Sequence, residues 1–206
     1  MAGRYVFVAG APGSRWSGVC KTIYGSPDFD RTDTSSRREY SHSAGAEPMH
    51  IGAYWDPGME YGEWFDRLGD HEPAECERVF DAPFSGQGRR LIKSHTFCHH
   101  LEYLHRHWPD CGIVLVHRPD RACLDWWVEA GGFDIHYPDY RPYYKDLDTM
   151  ARRIAAQNRD LLAYARANGL AFDVHDNNEL CRRLALAPAP ATMRFQDAAV
   201  ATVPPG

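Results

Sequence analysis

Short apolar runs alternate along this chain with stretches in which apolar residues recur every three or four positions. Tyr5 to Ala9 (YVFVA) is apolar throughout and rich in β-formers. That pattern predicts a strand buried on both faces, as in a parallel sheet. RLIKS (Arg90 to Ser94), GIVLVH (Gly112 to His117) and LAFDV (Leu170 to Val174) have the same character and predict three further strands. Between them lie predicted helices. VCKTIYG runs to Gly25, ahead of Ser26 and Pro27. A second helix covers Thr96 to His107, with Phe97, Leu101, Leu104 and Trp108 on one side. A third lies between Pro119, which suits a helix start, and Gly131, which suits its end. A fourth, Thr149 to Asn168, carries Met150, Ile154, Leu161, Leu162 and Ala165 at helical spacing and closes at Gly169. This alternation predicts a three-layer α/β fold, a central parallel sheet flanked by helices and joined by right-handed crossovers. Residues 26–89 are mixed in polarity and lack a sustained period, so loops and short helices are expected there.

Composition narrows the class. A chain of 206 residues with 44% hydrophobic and 25% charged positions suits one globular domain, placed at residues 1–186. Residues 187–206 are rich in Ala and Pro and are expected to form an extended or poorly ordered arm. No apolar run approaches the roughly 18 residues of a membrane span, so no membrane partner is expected. The net charge of −5 argues against a nucleic acid partner, while leaving room for a local basic pocket. Six scattered cysteines without a CxxC pair, and no secretory leader ahead of Tyr5, point to a reducing cytoplasm.

The chemistry concentrates where the first strand ends. A Gly-rich loop between a buried strand and a helix gathers unpaired N–H groups and the positive helix end around one anion, and GAPGSRWSG (Gly10 to Gly18) has that placement. It is not a Walker A loop, because the Gly-Lys pair is replaced by Arg15 and Trp16. Pro12, Gly13, Ser14, Arg15, Trp16 and Ser17 are its candidate binding residues, Gly13 for close approach, Ser14 and Ser17 as hydroxyl donors and Arg15 as a fixed charge. The alternative is a plain strand-to-helix turn.

Three segments together resemble the sulfotransferases that use 3′-phosphoadenosine 5′-phosphosulfate, enzymes of P-loop-like fold. GAPGSRWSGV is similar to the family's 5′-phosphosulfate loop, Pro-Lys-Ser-Gly-Thr-Thr: Pro12 and Ser14 match, Gly13 stands at the Lys and Arg15 at the Gly. LIKSHTF is similar to the Lys-Thr-His run that ends a strand, with Lys93 and His95 at the matching positions. VLVHRPDRACLDWW is similar to the 3′-phosphate segment, with Arg118 at the family's Arg, no Ser where the family has one, and Arg121 nearby. FDVHDNNELCRRLAL looks like the last strand and helix. The resemblance implies transfer of a sulfuryl group to a hydroxyl of a small-molecule acceptor, with the phosphosulfate as co-substrate and no metal. It implies His95 as the general base, assisted by Lys93 and Arg15. A neutral imidazole suits that role because it titrates near working pH.

Other segments carry open alternatives. Met49 to Phe65 sets aromatics beside His50, Asp56 and Glu60, a wall for the acceptor or simple packing. His95, Cys98, His99, His100, His105 and His107 are zinc-ligand types, but on a helix they spread over several faces. The Tyr-rich segment Gly131 to Tyr144 suits a border of the acceptor pocket, a packed loop or a homodimer contact. A kinase-like phosphotransferase and a nucleotide-binding protein without catalysis are the rival functions on the same architecture.

Overall fold

A computed structural model describes residues 3–33, 39–42, 53–54 and 62–206. His50, Asp56 and Glu60 lie outside the described residues. The strands are β1 (Tyr5–Gly10), β2 (Ala53–Tyr54), β3 (Arg90–Lys93), β4 (Gly112–His117) and β5 (Ala199–Val203). The helices are α1 (Trp16–Ile23), α2 (Pro73–Asp81), α3 (Leu101–His107), α4 (Asp120–Glu129), α5 (Arg141–Tyr144), α6 (Leu147–Ala167) and α7 (Asn177–Arg183), with 3₁₀ turns at Gly62–Asp70, His95–His99 and Gly132–Asp134. The sheet order is β2-β3-β1-β4-β5. No helix among the described residues is long and apolar enough to cross a membrane.

β1, β2, β3 and β4 run parallel, so Gly10, Tyr54, Lys93 and His117 end at one edge. The sheet is mixed rather than wholly parallel, because β5 pairs antiparallel with β4, Ile113 opposite Val203 and Val116 opposite Val200. β5 comes from the Ala/Pro-rich segment expected to be a loose arm; Val200, Ala201 and Val203 are buried there. The expected strand at Leu170 to Val174 is absent, with only Val174 bridging to Val200. β5 holds the place beside β4 that such a strand would need.

Each face of the sheet buries its own apolar set. Tyr5, Phe7, Ile92, Ile113 and Leu115 meet Phe80, Phe97, Leu101, Leu104, Trp108 and Leu161 on one side. Val6, Val8, Leu91, Val114 and Val116 meet Val19, Ile23, Leu180 and Leu184 on the other. Burying each of these large side chains contributes about 1.5–3 kcal/mol before chain entropy is counted. A third cluster, Ala11, Cys123, Trp127, Ile135, Tyr140, Tyr144, Met150 and Ile154, sits beyond the carboxyl ends of the strands. It seats α4, α5 and the start of α6 over the loop that follows β1. α6 begins where the Asp146 carboxylate accepts from the Thr149 N–H at 2.7 Å, an N-cap that satisfies one of its orphan donors.

Candidate functional site

The loop after β1 folds tightly. The Ser14 N–H donates to the Ala11 carbonyl at 3.0 Å, and Gly13 has φ +79°. A Cβ on Gly13 would overlap the Cys123 carbonyl, so only glycine lets the loop lie against α4. Arg15 follows in the left-handed region, φ 72° and ψ 10°, and no side chain caps the start of α1. A non-glycine residue there is uncommon and strained. α1 therefore begins at Trp16, three residues before the periodicity suggests, and buries Trp16, Val19, Cys20 and Ile23. The spacing i, i+3, i+4, i+7 is one helix face.

β3 supplies the facing residues. Side chains alternate along a strand, which puts Lys93 on the α1 face with Leu91. Lys93 is fully buried, its Nζ 5.7 Å from the Trp16 ring centre. At Ser94 the chain turns, the hydroxyl capping the 3₁₀ turn by accepting from the Thr96 N–H at 3.2 Å. His95, 2% exposed, then stacks on Trp16 with ring centres 4.0 Å apart. Its Nδ1–H donates to the Gly10 carbonyl at 2.5 Å. That bond fixes the tautomer in which Nε2 carries the lone pair. Burial, with the Lys93 charge adding to it, lowers the His95 pKa to about 3 against the pull of the Gly10 carbonyl. The ring is neutral throughout the physiological range.

These elements open into one cleft of about 680 Å³, counting the solvent at its mouth. Pro12, Gly13, Arg15, Trp16 and Ser17 of the loop line it together with His95. Ser14 and Lys93 lie behind this wall, and Arg118 stands apart. The Arg118 Nη1 donates to the Ala122 carbonyl at 3.1 Å, while its own carbonyl accepts from Asn158 at 2.9 Å and from the Cys123 thiol at 3.3 Å. Arg121 pairs with Asp125 on the exposed side of α4.

Sequence reasoning did not single out Trp127, Ala130 or His42 of the far wall, whereas the segment Gly131 to Tyr144, offered as a border of the acceptor pocket, supplies Ile135 and Tyr140. Together with Trp126 and Gly18 these residues complete the lining among the described residues. Arg15 lays its guanidinium over Trp126, 3.5 Å from the ring centre, a cation–π contact. Asp197 lies 3.9 Å from the same guanidinium. The clue to Trp126 and Trp127 was their place within the quoted Arg118 segment; His42 gave none, being a lone histidine in a stretch without period. Burial lowers the His42 pKa, and His136 and Lys93 push the same way.

Two features define what this cleft can hold. Among the described residues no carboxylate lines it, although acids outnumber bases 28 to 23 in the chain. In addition, three buried polar atoms lack a protein partner, Arg15 Nε and Trp127 Nε1 on residues of the lining and Ser14 Oγ behind the loop wall. A buried donor left unpaired costs about 1–3 kcal/mol, and such groups in a cleft are explained by a ligand or water that satisfies them. All three can donate a hydrogen bond, and Arg15 brings a fixed positive charge to the lining.

The histidines after β3 are dispersed. His99 pairs with Asp160 at 2.6 Å, the His105 ring meets the Tyr164 hydroxyl at 2.8 Å, and the His100 ring meets the Asp66 carbonyl at 3.2 Å. Among the described residues no group of three or more His, Cys, Asp or Glu side chains is gathered for a metal. All six cysteines are buried free thiols; burial pushes the pKa of Cys20, next to Lys93, up to about 11. Compared with known proteins, the chain matches no protein-family model, no curated protein and no solved structure.

Proposed function

We propose that this protein is a sulfotransferase of P-loop-like fold, moving a sulfuryl group from 3′-phosphoadenosine 5′-phosphosulfate to a hydroxyl of a small-molecule acceptor. The observation that carries the reading is the unsatisfied loop. Ser14 Oγ and Arg15 Nε are buried without partners beside the uncapped start of α1, and His95 meets the same cleft from the end of β3. A helix start with such donors favours a phosphate or sulfate.

In the reaction the acceptor oxygen attacks sulfur and a new O–S bond forms. The bond from sulfur to the 5′-phosphate oxygen breaks, and its electron pair leaves with 3′-phosphoadenosine 5′-phosphate. The loop N–H groups, Ser14, Ser17 and Arg15 hold the phosphosulfate and offset the charge that develops on the leaving oxygen. His95, locked by Gly10 and Trp16, presents Nε2 to the acceptor hydroxyl and takes its proton. Lys93 acts from behind Trp16 as a positive charge that opposes a stable imidazolium, so the proton does not rest on His95. Pre-orientation of donor and acceptor supplies the remainder of the rate.

The test is calorimetric titration with 3′-phosphoadenosine 5′-phosphate, followed by transfer assays over a panel of hydroxyl acceptors. The reading expects bisphosphate binding without Mg²⁺ and stoichiometric release of bisphosphate on turnover. Stabilisation by Mg²⁺-ATP alone would shift the reading to a kinase-like phosphotransferase. The depressed pKa of His95 favours a second reading, a nucleotide-binding protein without catalysis, for which every acceptor leaves the phosphosulfate intact.

A further inference from the structure

The cleft holds a second imidazole. His42 lines the same cleft as His95 but is only half-buried. Its segment is tied to the far wall by the pair between His136 and Glu39, next to the cleft residue Ile135. The two rings are held differently. His95 is stacked on Trp16 and bonded to Gly10, whereas His42 stands nearer the solvent.

Resting on the sulfuryl-transfer reading, we infer that His42 is a proton acceptor of the reaction, receiving from His95 the proton of the acceptor hydroxyl and releasing it to solvent. The argument is one of charge. An imidazolium at His95 would be buried in a low-dielectric site close to Lys93, where it is strongly disfavoured. Once the hydroxyl proton reaches His95 Nε2, it must move on before the next cycle. Among the described residues His42 is the other titratable imidazole on the lining, and it is less buried than His95, so carrying the charge costs it less. Burial is the largest cause that disfavours its charged form, and among the described residues His136 and Lys93 add to it, with Arg15 also on the lining and Glu39 paired to His136. An anionic donor in the cleft reverses that balance and raises the proton affinity of His42 when it is needed. Atoms balance throughout: the proton passes from acceptor oxygen to His95, to His42, to water, and the electron pair leaves with the bisphosphate.

The experiment compares wild type, His42→Ala and His42→Gln. The relay expects kcat to fall by at least ~10-fold, toward the ~10²-fold range of a lost proton-transfer group, with bisphosphate affinity within twofold of wild type. Added imidazole should restore part of the lost rate in His42→Ala. Turnover within twofold of wild type in both variants overturns the relay and leaves the transfer reading standing. So does a loss that imidazole does not relieve and that is matched by an equal loss of bisphosphate affinity, because His42 would then be a wall residue. Wild-type protein that fails to bind the bisphosphate, or binds it and transfers to no acceptor, defeats both proposals together.

Discussion

Two turns at the same edge of the sheet look alike in sequence and differ in state. Each follows a buried strand, each carries an arginine and a proline, and each enters a helix: GAPGSR after β1 and HRPDR after β4. In the second turn the polar groups of Arg118 find partners, since the guanidinium reaches Ala122 and the carbonyl accepts from Asn158 and Cys123. In the first turn Ser14 Oγ and Arg15 Nε are buried and unpaired, and Arg15 is held in a left-handed conformation. A turn that only connects elements satisfies its own donors, because leaving them unmade is costly. Under the proposed function the first turn leaves its donors for the ligand, and the state of the donors, rather than the motif, is what sets the two turns apart.

The sharpest way to break the comparison is Gly13→Ala. A Cβ there meets the Cys123 carbonyl, and φ is +79°, so the loop cannot stay seated on α4. We expect the loss of bisphosphate binding and a stability loss above ~2 kcal/mol, read by denaturant unfolding. Gly18→Ala is the control, because nothing lies within 4 Å of its Cβ position. Gly18 lies in the first turn of α1, on the cleft lining, so the change should leave stability within ~0.5 kcal/mol of wild type. Equal losses in the two variants would remove the loop from its special position.

Arg15→Ala against Arg118→Ala tests which turn meets the anion. A charge-assisted contact is worth ~1.5–3 kcal/mol, so Arg15→Ala should weaken bisphosphate binding by roughly 10- to 150-fold. Arg118→Ala should change affinity by less than threefold and act on stability instead, through its bond to Ala122. Should titration calorimetry rank them the other way round, Arg118 leaves Ala122 to bind the ligand, and the contrast between the two turns fails.

His95 offers a test by pH. Its folded-state pKa, about 3, lies below the ordinary ~6.5 of an unfolded chain, so the unfolded state binds the extra proton first. The stability held by the neutral ring is complete above pH ~6.5 and is lost progressively as pH falls toward 3. His95→Gln should flatten that slope in unfolding measurements between pH 7 and 4. A slope identical to wild type would show that the ring charges without cost.

Ser14→Ala should have the smallest effect. The hydroxyl has no partner in the free protein, so its removal is neutral or slightly stabilising. In the bisphosphate complex it should cost ~0.5–1.5 kcal/mol of affinity. A drop in melting temperature with unchanged affinity would mean that Ser14 is structural.

How much was legible before the fold follows from where the information lies. β1, β3 and β4 could be read because apolar runs between turn residues have few other uses. α6 could be read from its period and its closing Gly169. The stretch after β3 was divided less well, since Ser94 caps a 3₁₀ turn at His95–His99 before α3 begins, and periodicity does not distinguish the two helix types. The loop and His95 were also legible, because their residue types are tied to local backbone geometry. What the sequence by itself determined was therefore local: strands from composition, helices from spacing, and a tight strand-to-helix turn from Gly, Ser and Arg in order. Only the tertiary structure decided that Ala199–Val203 is the fifth strand, since that segment gains its partners and its burial from β4. Only it brought His42, Trp126, Trp127 and Tyr140 to face the loop, turned Arg118 toward Ala122 and left Ser14 unpaired. Those outcomes depend on contacts between residues tens of positions apart, and burial and satisfied hydrogen bonds are properties of the assembled chain rather than of any segment.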